Sequence, residues 1–229
     1  MRKIFVLLTM IACALGAVAQ ARLPITEKIE WTWTDRPQTV VAGLPNVLLV
    51  GDSITRGYYP AVSADLKGVA NVYLLASSIC SGDPRLPEQI KIYFDTMGLS
   101  FAVVHFNNGM HGWGYTESQY ASGLTDMVAA LRAGAPHAKL IWANTTPVLH
   151  DGTAPGGPGA PQATNARIDA RNKLADSLMQ REHVPVDDLN ALMLKHQDLH
   201  NGDVHYTAAG YAVSAQQTAD LVREMLGKK

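Results

Sequence analysis

Val47-Leu-Leu-Val-Gly-Asp-Ser-Ile-Thr-Arg56 is the stretch on which the reading of this chain turns. Val47 to Val50 is a short apolar run with β-branched residues at both ends. It breaks off at Gly51, Asp52 and Ser53. Such a pattern predicts a buried strand that delivers a serine at its carboxyl end. Open α/β sheets hold ligands in the crevice outside those ends. Gly51 permits a tight turn there, from which a serine hydroxyl can reach a cleft. A plainer reading is also open, in which Asp52 or Ser53 only caps a helix.

The rest of the chain alternates in the same way. Apolar runs at 71–76, 101–106, 139–143 and 184–186 predict four more strands. Helical spacing predicts helices at 59–67, 87–97, 164–182, 189–196 and from Thr207 onward. The clearest helix has Thr116 and Gln119 as a capping box, Tyr120, Leu124, Met127, Val128 and Leu131 as its apolar face, and Gly134 with Pro136 as its stop. Strands alternating with helices imply a three-layer α/β/α sandwich around a five-stranded, mainly parallel sheet. No repeat or composition break argues for a second domain. The Gly/Pro-rich stretch 151–162 reads as a surface loop.

Ahead of this domain (47–229), residues 20–46 read as a strap. Its Trp31-Thr-Trp33-Thr alternation suits an edge strand. Residues 1–19 read as a signal peptide: Arg2 and Lys3, an apolar run from Ile4 to Leu15, then Ala17-Val-Ala19. A secreted or periplasmic protein is therefore expected. Lipoprotein anchoring through Cys13 is disfavoured, because the apolar region before it is very short. With 19 basic against 20 acidic residues, nothing points to nucleic acid or an anionic membrane, and no segment predicts a membrane span. Cys80 would have no partner once Cys13 is removed, and reads as a buried small hydrophobe.

Three strand ends carry chemistry. Ser53 follows the first strand, Ser77-Ser-Ile-Cys-Ser-Gly-Asp83 the second, and Asn107-Asn-Gly-Met-His-Gly-Trp113 the third. Asp203-Val-His205 precedes the last helix. A serine needs a base to become a nucleophile, and histidine is the usual one. Acyl transfer also needs donors for a developing oxyanion.

These residues resemble the SGNH (GDSL) hydrolases, in a flavodoxin-like sandwich, over most of the chain from Asn46 to Met225. Gly51-Asp-Ser-Ile-Thr-Arg-Gly-Tyr-Tyr-Pro60 and His105-Phe-Asn-Asn-Gly-Met-His-Gly-Trp113 are most similar to small secreted carbohydrate esterases. The resemblance implies Ser53 as nucleophile and oxyanion donor, His205 as base, and Asn107 as side-chain oxyanion donor with Asn108 the alternative. It implies a backbone donor at Ser78 or Gly82. The family acid lies three residues before the histidine, where this chain has Gly202. Either Asp203 reaches the ring, or another acid such as Asp198 does, or a Ser–His dyad operates. His111 and Trp113 lie where substrate would bind, and Trp113 could stack on a sugar. Arg56 is read as holding its loop.

The implied activity is hydrolysis of a short acyl ester, most plausibly acetyl on a saccharide, with no cofactor. The eight histidines match no familiar zinc spacing, so no metal is expected; His105, inside a strand, reads as a core residue. The rivals are a lysophospholipase or thioesterase on the same scaffold, and a carbohydrate-binding relative without catalysis. Oligomeric state is not legible.

Overall fold

The computed structural model describes residues 23–153 and 161–228. Residues 1–22, which include the expected signal peptide, and 154–160, within the Gly/Pro-rich stretch, lie outside the described residues. Val47 and Leu49 pack on one side of strand β2 (Asn46–Gly51), and Leu48 and Val50 on the other. The period of two therefore builds two apolar layers from one buried run. β3 (Asn71–Ser77) and β5 (Lys139–Ala143) repeat the pattern: Leu74 and Ile141 face the first layer, Leu75 and Trp142 the second.

Helices α1 (Ser53–Asp65) and α6 (Ala208–Met225) close the first layer. α2 (Leu86–Met97), α3 (Glu117–Gly134) and much of α4 (Asn165–Arg181) close the second. The Thr116–Gln119 capping box is present in both directions. α1 starts six residues before its apolar spacing predicts, because Asp52 caps it directly at the strand end.

The five expected strands run parallel in the order β3-β2-β4-β5-β6, with β4 at Val103–Phe106 and β6 at Val186–Asp187. A sixth strand joins them. Thr32–Asp35 of the strap, β1, pairs antiparallel with β3, Thr32 opposite Ser77. The first parallel strand lies between the second and the third, so the strand order reverses at β2 and β4. Ser53 and Asn107 end those two strands and flank the switch-point crevice. A short α5 (Leu189–Met193) leads to a hairpin, β7 (His200–Asn201) and β8 (His205–Tyr206), that sets the start of α6. No helix among the described residues is long and apolar enough to cross a membrane.

Candidate active site

Asp52 and Ser53 divide the two readings of their motif between them. Asp52 is the cap: its Oδ1 accepts the Ile54 N–H at 2.9 Å. Ser53 is the first helical residue, so its own N–H is one of the donors that a helix leaves without internal partners. Gly51 is required by space rather than by a left-handed turn: a Cβ there would lie 2.1 Å from Thr55 Oγ1.

His205 comes to this serine from the far end of the chain. Val204 and Tyr206 on either side are buried, and alternation turns His205 outward. Its Nε2 lies 2.8 Å from Ser53 Oγ. Among the described residues this is the only hydrogen bond of the His205 ring. Burial lowers the His205 pKa; the Asp52 charge opposes the drop, and His111 and Arg56 add to it. The ring is thereby held neutral at lower pH than an ordinary histidine, as a base requires.

Asp203 is placed elsewhere. Gly202 takes φ +75° at the hairpin tip, a conformation that glycine adopts freely. The chain reverses there and carries the Asp203 side chain toward His150. The Asp203 carbonyl accepts the Leu149 N–H at 2.8 Å, and its Oδ1 lies 2.7 Å from His150 Nδ1. It makes no hydrogen bond to His205. Asp198, in a single 3-10 turn, makes none either.

Asn107 ends β4 next to Gly51. Its N–H donates to Val50 O, and its Nδ2 donates one hydrogen to Ala143 O at 2.7 Å. No second bond from this amide is present among the described residues. Asn108 is tied into the second loop: its Oδ1 accepts the Ser81 N–H and its Nδ2 donates to Ile79 O. Of the two positions expected to give a backbone donor, Ser78 has its N–H engaged. The Ser78 N–H donates to Trp31 O, and Ser78 Oγ accepts the Trp31 N–H. Gly82 is packed on Tyr115, where a Cβ would lie 2.6 Å from Cγ.

The cleft over Ser53 and His205 holds about 440 Å³ and is also lined by Trp31, Arg56, His111 and Asp203. His111 thus borders the cleft with Ser53. Its Nδ1 is 2.9 Å from Glu27 Oε2, and Glu27 Oε1 accepts the Gly112 N–H. Burial lowers the His111 pKa, but the Glu27 hydrogen bond with the Asp52 and Glu27 charges raises it on balance. For Glu27 the same pairing outweighs burial and holds the carboxyl low.

Trp113 is not in the cleft. It is buried, donates Nε1–H to Met110 O, and lies under the Arg171 guanidinium at 4.0 Å. The cleft aromatic is Trp31, set edge-on to His111. Sequence reasoning placed Trp31 on an edge strap but not over the serine. It missed Glu27, a lone acid with no motif around it.

Arg171, fully buried in α4, organises the Asn107–Trp113 loop. It donates to the carbonyls of Gly109, His111, Gly112 and Tyr115. His105 is a core residue, its Nε2 2.8 Å from Asp187 Oδ2, which also accepts from Thr218. Burial pushes the Cys80 thiol up to about 11, which leaves it unreactive.

The profile of the GDSL-like lipase/acylhydrolase family matches residues 49–213. The chain belongs to that family. Structures of similar fold fit this membership. A carbohydrate esterase family 3 protein from Talaromyces cellulolyticus is 18% identical, with a TM-score of 0.60 over 81% of this chain and 100% of its own. A carbohydrate acetylesterase from Sinorhizobium meliloti is 16% identical, with a TM-score of 0.58 over 79% and 99%. The M. smegmatis aryl esterase is 15% identical, with a TM-score of 0.59 over 79% and 99%. At such identities the likeness is one of fold. No curated protein matches the chain in sequence.

Proposed function

We propose that this GDSL-family chain is an exported serine esterase that removes short acyl groups, acetyl first, from a saccharide. The 2.8 Å approach of His205 Nε2 to Ser53 Oγ at an open cleft carries the reading. Ser53 attacks the ester carbonyl and passes its proton to His205. The Ser53 N–H at the start of α1 and the second Asn107 amide hydrogen meet the oxyanion, aided by the positive end of the helix dipole. His205 then protonates the departing sugar hydroxyl. Water, deprotonated by the same ring, frees the acid and restores Ser53. With Asp203 on His150, the pair works as a Ser–His dyad.

The Trp31 wall and the polar lining of the cleft favour a sugar over a long lipid chain. Export rests on the leader pattern of residues 1–19. A series of p-nitrophenyl acetate, butyrate and octanoate tests the reading. Rates should fall with chain length and vanish in Ser53→Ala. Preference for octanoate would move the assignment to a lipid or thioester substrate.

A further inference from the structure

Arg56 is the fourth residue of α1 and lines the cleft beside Ser53. Its guanidinium lies 5.0 Å from the centre of the Trp33 ring and 5.6 Å from that of Trp31. The two indole rings flank the group at cation–π distance. Arg85, Arg132, Arg167 and Arg223 each pair with a carboxylate. Arg56 pairs with none among the described residues.

The acids around it are committed elsewhere. Glu27 is on His111 and Asp203 is on His150; Asp52 is buried with its Oδ1 on the Ile54 N–H and its Oδ2 without a hydrogen-bond partner, and it makes no ion pair with Arg56 among the described residues. His111 also lines the cleft, and with its Nδ1 on Glu27 only Nε2 remains to meet a ligand. A guanidinium without a carboxylate partner, lining the same cleft as a histidine and the serine, suits a carboxylate.

We propose that Arg56, with His111 beside it, is an anion subsite, so that the preferred ester carries a carboxylate. This rests on the esterase reading above and names the substrate class within it. The carboxylate has two possible sources, a uronic acid on the alcohol side or a dicarboxylic half-ester on the acyl side. A charge-assisted hydrogen bond to a fixed guanidinium corresponds to roughly 10- to 100-fold in kcat/KM.

The test compares two matched pairs at low salt: the acetylated methyl galacturonoside against the acetylated methyl galactoside, and p-nitrophenyl hemisuccinate against p-nitrophenyl acetate. At least one pair should show a preference of about tenfold or more for the charged ester. The pair that does identifies the source. The preference should collapse to near one in Arg56→Gln and be partly kept in Arg56→Lys, which retains the charge without the fork. Circular dichroism checks that both variants fold. No preference in either pair, or one that survives Arg56→Gln, overturns the subsite. If no ester is hydrolysed, the esterase reading fails by itself. The subsite is then read by NMR titration with galacturonate against galactose: shifts at the cleft for galacturonate that Arg56→Gln abolishes uphold it, and none overturns it.

Discussion

The Asp203 carboxylate meets Nδ1 of His150 at 2.7 Å and leaves the ring of His205 to Ser53 alone. Both members of the Asp203–His150 pair are solvent-accessible, and such pairs contribute little. Losing a triad acid costs about 10⁴-fold in turnover elsewhere. Asp203→Asn should therefore cost far less, under about tenfold, while His205→Ala approaches the full loss. Steady-state kinetics on p-nitrophenyl acetate compare them. A loss near 10⁴ in Asp203→Asn would restore Asp203 as the triad acid.

The His205 base sets the acid limb of activity. Since burial holds its pKa below the ordinary 6.5, kcat/KM should rise with pH through a midpoint under that value. The Arg56 and His111 charges push the same way, so Arg56→Gln and His111→Ala should each move the midpoint upward. A pH profile of the three proteins reads this directly, and a midpoint unmoved in both variants would contradict the placement of those charges.

Glu27 and His111 make the strap's hold on the cleft pH-dependent. Glu27 is lowered from 4.5, so its contribution is present above that value and is lost as pH falls through the lowered pKa. His111 is raised from 6.5, so its contribution is full below 6.5 and is lost as pH rises through the raised pKa. The pair therefore acts most between about 4.5 and 6.5. Urea unfolding should show Glu27→Gln less stable than wild type by on the order of 1.5–3 kcal/mol at pH 5.5. The gap should narrow at pH 9. A gap independent of pH would mean that the pair is not ionised.

Arg171 holds four carbonyls of the loop that carries Asn107 and His111. Arg171→Met leaves buried acceptors unmet at about 1–3 kcal/mol each. Denaturant midpoints should show a loss above about 3 kcal/mol, and activity should fall with it. A stable, active Arg171→Met protein would show that the loop holds itself.

The fold was legible because its signals are local. Val47–Val50 alternates between two apolar layers, and Thr116 with Gln119 caps α3 as their spacing predicts. The Ser53–His205 contact was expected only because the family motif pairs two points that the chain keeps 152 residues apart. What escaped depends on tertiary packing. Ser78 looked free until the strap bonded its N–H through Trp31. Trp113 looked like a cleft aromatic, but a buried arginine from α4 covers it. Glu27 has no sequence signature, and Asn201-Gly202 marks a turn without saying which ring Asp203 meets, since a single acid pairs with whichever histidine the backbone brings to it.

The most direct test is covalent. Wild-type protein is treated with a fluorophosphonate, digested, and mapped by mass spectrometry, with His205→Ala alongside. A Ser53 hydroxyl activated by His205 predicts one adduct on the peptide carrying Ser53, formed rapidly in the wild type and far more slowly in His205→Ala. An unlabelled Ser53 in folded wild-type protein, or labelling that does not depend on His205, would contradict the account.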